Sequence, residues 1–288
     1  MNQFKTFILM LGLTMILVLL GGVIGGRGGA TFAFLIALGL NFLTYYHSDR
    51  IVLAIYRAQE LKRNEAPWLH DLVEDLSQRM GIPKPRIYLI PQPAPNAFAT
   101  GRSPKVGCVA VTEGLLRILD EEEIRGVLGH ELSHIKNRDT LIQTISASIA
   151  GAISMLAFWA RWAAFLGGYG DSEERGNPFF LLLISILAPL AALIVQMAIS
   201  RSREYLADER GGRACGNPLY LARALRKLAG YQEKYPMEVN PATSHLFIVN
   251  PLSGESFFSV LFSTHPPLQE RIRRLEALAS RPGGNYVF

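Results

Sequence analysis

The most regular feature along the chain is where charge is missing. Four windows, residues 6–26, 28–48, 140–160 and 176–200, contain no Lys, Arg, Asp or Glu and are dominated by aliphatic, aromatic and small residues. As helices all four are long enough to span a bilayer, because about 20 residues rising 1.5 Å each cross a hydrocarbon core of about 30 Å. The pattern predicts four transmembrane helices in two hairpins. The first hairpin turns at Gly25-Gly26-Arg27-Gly28-Gly29, and residues 161–175 join the arms of the second. Lys5 before the first window also suits a cleaved signal peptide, but the apolar run is long and a second window follows at once. Residues 49–139 and 201–288 then lie on one side of the membrane and must fold together. The division is 1–48, a transmembrane hairpin; 49–139, a first soluble part; 140–200, a second hairpin; and 201–288, a second soluble part.

Polar positions in the soluble parts predict a mainly α fold with a small β-sheet. Residues 86–90, 96–101 and 107–112 are apolar or alternating and are separated by Pro and Gly clusters, as short strands are. From residue 120 the period changes. Asp120 followed by Glu123 matches a capping box, Glu121 and Glu122 suit the positive end of a helix dipole, and Val127, Leu128, Leu132 and Ile135 recur at helical spacing. Neither Gly nor Pro interrupts residues 130–140, so the helix is expected to continue into the third window.

Composition then sharpens the picture. All 29 basic and 24 acidic residues fall outside the four windows, so the rest of the chain is about a quarter charged, like an ordinary soluble domain. This excludes a disordered chain, a collagen-like fibre and a wholly soluble enzyme. Basic residues near the membrane ends number twelve on the side of the soluble parts, against Arg27, Arg161 and Arg175 on the other, which places the soluble parts in the cytoplasm. Cys108 and Cys215 alone make no disulfide framework and fit a reducing compartment. Most of the net charge of +5 follows residue 200, just below the bilayer, where basic residues attract anionic lipid. No basic run interleaved with aromatics indicates nucleic acid.

The candidate chemistry is concentrated in His130-Glu131-Leu132-Ser133-His134. On a helix the two histidines share a face one turn apart, where both can grip a single Zn2+, and Glu131 beside them is placed to act as general base. A catalytic site needs a third protein ligand, for which Glu204 in Arg203-Glu204-Tyr205-Leu206-Ala207-Asp208 is the best candidate. Asp208, one turn further, could orient a ligating histidine. The alternative is that these charges form solvated helix pairs.

These residues resemble the membrane zinc peptidases of the HtpX heat-shock type. The resemblance covers nearly the whole chain, including Asn96-Ala97-Phe98-Ala99-Thr100-Gly101, Asn137-Arg138-Asp139 and Ser263-Thr264-His265-Pro266-Pro267. It implies four transmembrane helices plus a cytoplasmic gluzincin-like zinc peptidase domain, in a multi-pass protein of the bacterial inner membrane. One Zn2+ per chain would be held by His130, His134 and Glu204, and the activity would be endopeptidase action on membrane proteins. It assigns Asn96, Ala97, Phe98, Ala99, Thr100 and Gly101 to a sheet edge where a substrate peptide adds as a strand, the alternative being a plain structural strand. It also implies that His265 and Arg271 stabilise the anionic tetrahedral intermediate, whereas an isolated His beside two prolines is commonly a loop or capping residue. His245 is equally suited to a packed core.

His134 lies six residues before the third window, about 9 Å along a continuous helix, and Glu204 lies just after the fourth. The zinc is therefore expected close to the cytoplasmic membrane surface, with loops and tails of membrane proteins, probed at the lipid bilayer, as substrates. Two other classes fit less well. A CAAX prenyl protease type of enzyme has more spanning helices, and a scaffold or chaperone with structural zinc needs neither Glu131 nor an open metal position.

Overall fold

The computed structural model describes residues 2–142, 201–234, 248 and 266–280. Contacts divide the chain into two units, Met1–Tyr46 with Ile142–Ala198 and His47–Leu141 with Ile199–Phe288.

Most of α1 (Asn2–Ile55) lies in the first unit, and the helix breaks at Gly25 and Gly26. Gly26 has φ 59° and ψ −146°, a conformation strained for any other residue, and it lets the helix fold back on itself. The two arms touch, with Asn41 Nδ2 donating to Thr14 Oγ1 at 3.0 Å. Phe7, Met15, Leu19, Phe32, Leu35 and Phe42 are all more than half exposed. So large an apolar surface suits lipid better than water. Among the described residues one helix, Gly25–His47 with 23 residues, is long and apolar enough to cross a membrane, and Met10–Leu19 is apolar but shorter. The third predicted window beyond Ile142 and all of the fourth lie outside the described residues.

The second unit is built around a four-stranded mixed sheet of order β1-β2-β4-β3. The strands are β1 (Gln59–Glu60), β2 (Arg86–Ile90), β3 (Ala97–Thr100) and β4 (Cys108–Thr112). The three longer ones fall where the alternation predicted them. β1 has only two residues, too few to leave a pattern. β2 and β4 run parallel with Arg86 opposite Cys108, while β3 runs antiparallel to β4 with Phe98 opposite Ala110.

Both faces of the sheet are covered. One carries Ile87, Val109 and Val111 against Leu72 and Leu76 of α2 (Pro67–Met80) and Leu128 and Leu132 of α4 (Glu121–Asn137). The other packs Tyr88, Phe98 and Ala110 with Leu53. The short α3 (Glu113–Ile118) leads from β4 towards α4. α5 (residues 201–214), α6 (Pro218–Lys234) and α7 (Leu268–Ala279) follow, and Leu221, Leu225, Ile272 and Leu275 extend the first core. Because α4 lies inside this assembly, nearly all of its residues from Glu123 to Ile135 are buried.

Both halves of the capping box at the start of α4 are present. Asp120 Oδ1 accepts from the Glu123 amide at 2.9 Å, and the Asp120 amide donates to Glu123 Oε2 at 3.0 Å. The end of the helix corrects the sequence reading. α4 stops at Asn137, and Arg138 turns into the left-handed region at φ 59°, ψ 32°, with its amide donating back to the last turn. A new helical turn starts at Asp139. The rise of about 9 Å inferred from a continuous helix therefore has no basis, because periodicity does not reveal a one-residue reversal. A left-handed conformation costs a non-glycine residue roughly 1–2 kcal/mol. Arg138→Gly should therefore leave the melting temperature of the full-length protein in detergent unchanged or raise it, whereas the β-branched Arg138→Val should lower it.

Candidate metal centre

α4 supplies His130, Glu131 and His134, and α5 supplies Glu204. The two helices can meet closely because glycine faces glycine where they cross. A Cβ on Gly211 would stand 2.5 Å from the His130 amide nitrogen, and one on Gly129 would stand 2.9 Å from the Gly211 carbonyl oxygen. Backbones at this separation bring the first turn of α5 over the histidine face of α4. His130, His134 and Glu204 are all buried and offer one ligand atom each within 4.8 Å of one another.

The donor geometry fits a metal ion. His130 Nε2 lies 3.1 Å from His134 Nε2, and Glu204 oxygens lie 3.5 Å and 3.4 Å from the two nitrogens. Donors about 2.0–2.1 Å from a tetrahedral ion are roughly 3.3 Å apart, so these separations match the edges of such a polyhedron. Charge points the same way. Glu131, Glu204, Asp208 and Asp139 are buried carboxylates, while Arg271 and Arg203 are the guanidinium groups paired with them. Carboxylates gathered in this way around two imidazoles favour a bound cation.

The profile of Peptidase family M48 matches residues 63–279. The chain belongs to peptidase family M48. A Protease HtpX homolog of Pelotomaculum thermopropionicum is 56% identical over 281 residues, covering 97% of this chain and 100% of that protein. Another, from Thermodesulfovibrio yellowstonii, is also 56% identical, over 282 residues, covering 98% of this chain and 100% of its relative. The crystal structure of S. mikatae Ste24p aligns with TM-score 0.54 at 21% identity, covering 85% of this chain and 57% of that one, a likeness of fold. With its His-His-Glu cluster the chain is a metallopeptidase, and its apolar N-terminal helix makes it membrane-associated.

In this M48 peptidase each imidazole of the candidate metal site is backed by a carboxylate. His134 Nδ1 is 3.2 Å from Asp139 Oδ2. His130 Nδ1 is 2.9 Å from Asp208 Oδ1, although the approach is too bent for a hydrogen bond. Such partners leave Nε2 as the atom turned towards a metal. Burial by itself lowers the His134 pKa, but hydrogen bonds with Asp139 and Glu204 outweigh it and push the value up to about 10. Burial tends to raise Asp208, yet the neighbouring Arg271 holds it down at about 2.

Glu131 is buried beside the ligands, and burial pushes its carboxyl pKa up while His130 and His134 pull it back. The Ala99 amide adds a smaller pull in the same direction, which makes β3 a neighbour of this carboxyl. β3 is the terminal strand of the sheet among the described residues. The Thr112 amide donates to the Asn96 carbonyl, so by antiparallel alternation Phe98 and Thr100 direct their backbone groups at β4 while Ala97 and Ala99 direct theirs outward. All four β3 residues are buried.

The remaining predicted positions separate clearly. The Asn96 side chain accepts from the Ile248 amide at 3.3 Å. Gly101 has φ 122°, and its carbonyl accepts from Thr140 Oγ1 at 2.7 Å, which makes it a structural corner. Arg271 is fully buried against Asp208. His265 and His245 lie outside the described residues. Asp139 and Arg203 were not singled out as site residues from the sequence, and Asp139 reaches the site only because Arg138 reverses the chain. The available signal was a carboxylate five residues after the second histidine.

Two measurements probe this centre. Gly211→Ala should push α4 and α5 apart and weaken metal binding in a chelator competition, while the overall helix content by circular dichroism stays the same. Because the metal-free His134 holds a proton up to about pH 10, metal uptake must release it. Affinity should accordingly rise with pH between 6 and 8, by up to about tenfold per unit for each proton released. A pH-independent affinity would contradict this.

Proposed function

We propose that this chain is a zinc-dependent endopeptidase of the bacterial inner membrane that cuts membrane proteins, misfolded or damaged ones in particular. The observation that carries the reading is the triangle of His130, His134 and Glu204 donors, with the buried Glu131 next to His130 on the same helix. A structural metal site would need a fourth protein donor and no adjacent base, and among the described residues the cluster has three donors.

Zinc, when bound, would act as a Lewis acid on the scissile carbonyl and acidify a water molecule. Glu131 is the proton carrier. Its carboxylate takes a proton at the attacking water and returns it to the leaving amine, and burial moves its basicity from the ordinary carboxylate range towards neutrality. Ala97 with both its backbone groups, and Ala99 with its carbonyl, offer outward positions to an extended peptide, which orients the scissile bond without strict demands on sequence. Because β3 is buried, a substrate must open the edge before it can pair. Unfolded segments, already extended, meet that condition most easily.

The membrane part of the proposal is a multi-pass protein with four spanning helices and the peptidase unit facing the cytoplasm. It is supported by the four charge-free windows and by the excess of basic residues flanking the soluble parts. In that arrangement His265 remains a candidate for contact with the anionic intermediate.

Glu131→Gln keeps the shape of the side chain but removes the base. The variant should retain full zinc occupancy by elemental analysis and lose about 100-fold to 10,000-fold in turnover of an unfolded membrane protein. Normal cleavage at full occupancy would remove Glu131 from this role. Glu204→Ala should lower zinc occupancy itself.

A further inference from the structure

Arg271 is the largest fully buried side chain among the described residues, and its position in α7 gives it an unusual set of partners. Its Nε donates to Asp208 Oδ2 and its Nη2 to Asp208 Oδ1, both at 2.8 Å, forming a two-pronged clamp on one carboxylate. Its Nη1 donates to the Ile248 carbonyl at 2.7 Å. The amide of that same residue donates to the Asn96 side chain at the start of β3. Nη2 also lies 3.9 Å from Glu204 Oε2, too long for a hydrogen bond.

These contacts account for each nitrogen of the guanidinium within the protein. Three of its five N–H groups are thus held by Asp208 and Ile248, so its principal partners are protein groups that stand behind the metal ligands. What it does touch is informative. Asp208 Oδ1 is shared between Arg271 and His130 Nδ1, and Ile248 connects the same guanidinium to Asn96. A planar fork holds a carboxylate in one orientation as a point charge does not. His134 has a parallel but looser arrangement, with Asp139 Oδ1 3.6 Å from Arg203 Nε.

We propose that Arg271 is a positioning residue, which fixes Asp208 so that His130 presents Nε2 to the metal and which at the same time anchors the Ile248 peptide against the start of β3. The guanidinium thereby couples the metal ligand to the strand that receives substrate. This rests on the zinc peptidase reading above and deepens it by moving Arg271 from the reacting atoms to the support of a ligand. Arg203 does the same for His134 more weakly.

The experiment uses the full-length protein in detergent, with zinc affinity measured against a fluorescent chelator and the ligand field read from Co2+ absorption. Arg271→Gln should weaken zinc binding about 10-fold to 100-fold and alter the Co2+ spectrum. Arg271→Lys, which keeps the charge and loses the fork, should restore only part of the affinity. Arg203→Gln should have a smaller effect on the same readouts. Since a lone Asp208 left buried can destabilise the fold, Asp208→Asn and the double variant Asp208→Asn/Arg271→Gln complete the cycle. If Arg271 acts through Asp208, the double variant binds zinc no worse than the weaker single variant. Strictly additive losses, or unchanged zinc affinity and Co2+ spectrum alongside reduced turnover, would overturn the proposal. A wild-type chain that binds no zinc would instead defeat the peptidase reading on which it rests.

Discussion

Two imidazole nitrogens facing each other at 3.1 Å in a buried site are the constraint around which the catalytic unit is organised. Without a shared proton or a cation, their lone pairs repel, and the nearby carboxylates add negative charge that water cannot screen. A metal ion removes the conflict at one point in space. The protein must therefore hold its donors with an accuracy of tenths of an ångström, and it does so with packed helices rather than loops.

That accuracy depends on how closely α4 and α5 approach. At the Gly129 and Gly211 contact neither helix has room for another carbon, so the crossing is fixed by backbone against backbone. The sheet supports α4 from one side through Leu128 and Leu132. α6 contributes Leu221, whose amide nitrogen would stand 2.4 Å from a Cβ on Gly126. The capping box at Asp120 and the reversal at Arg138 set where the helix begins and ends. Glu131 and β3 are then neighbours by construction, so the buried carboxyl and the terminal strand share one frame.

Behind the donors lies a set of charges arranged by the same logic. Asp208 and Asp139 each face an Nδ1 atom, and each has an arginine partner. Arg271 keeps Asp208 ionised inside the fold, and both carboxylates stand against the Nδ1 side of a histidine. The Arg271 arm also reaches Ile248 and Asn96, so the rigidity of the metal centre extends to the strand.

Much of this was legible in the sequence because the signals are local. Charge-free windows, the His130 to His134 spacing, the Asp120 capping box and the three strand segments each arise within a few residues, where period and turn chemistry are read directly. The pairing of Glu204 with the histidines was recognisable from its motif, but sequence spacing could not give its distance from them. Asp139, Arg203 and the clamp of Arg271 on Asp208 were not legible as site geometry, since they follow from a one-residue reversal at Arg138 and from contacts between segments more than 60 residues apart. The burial of β3 was equally hidden, because alternation shows which side chains share a face and not what lies against a backbone edge. Sequence alone determined the types of the candidate metal donors, the helix that carries two of them and the apolar windows that mark the chain as membrane-associated. Tertiary structure alone decided the ligand-to-ligand distances and the charges behind them, because these are set by packing between helices remote in sequence.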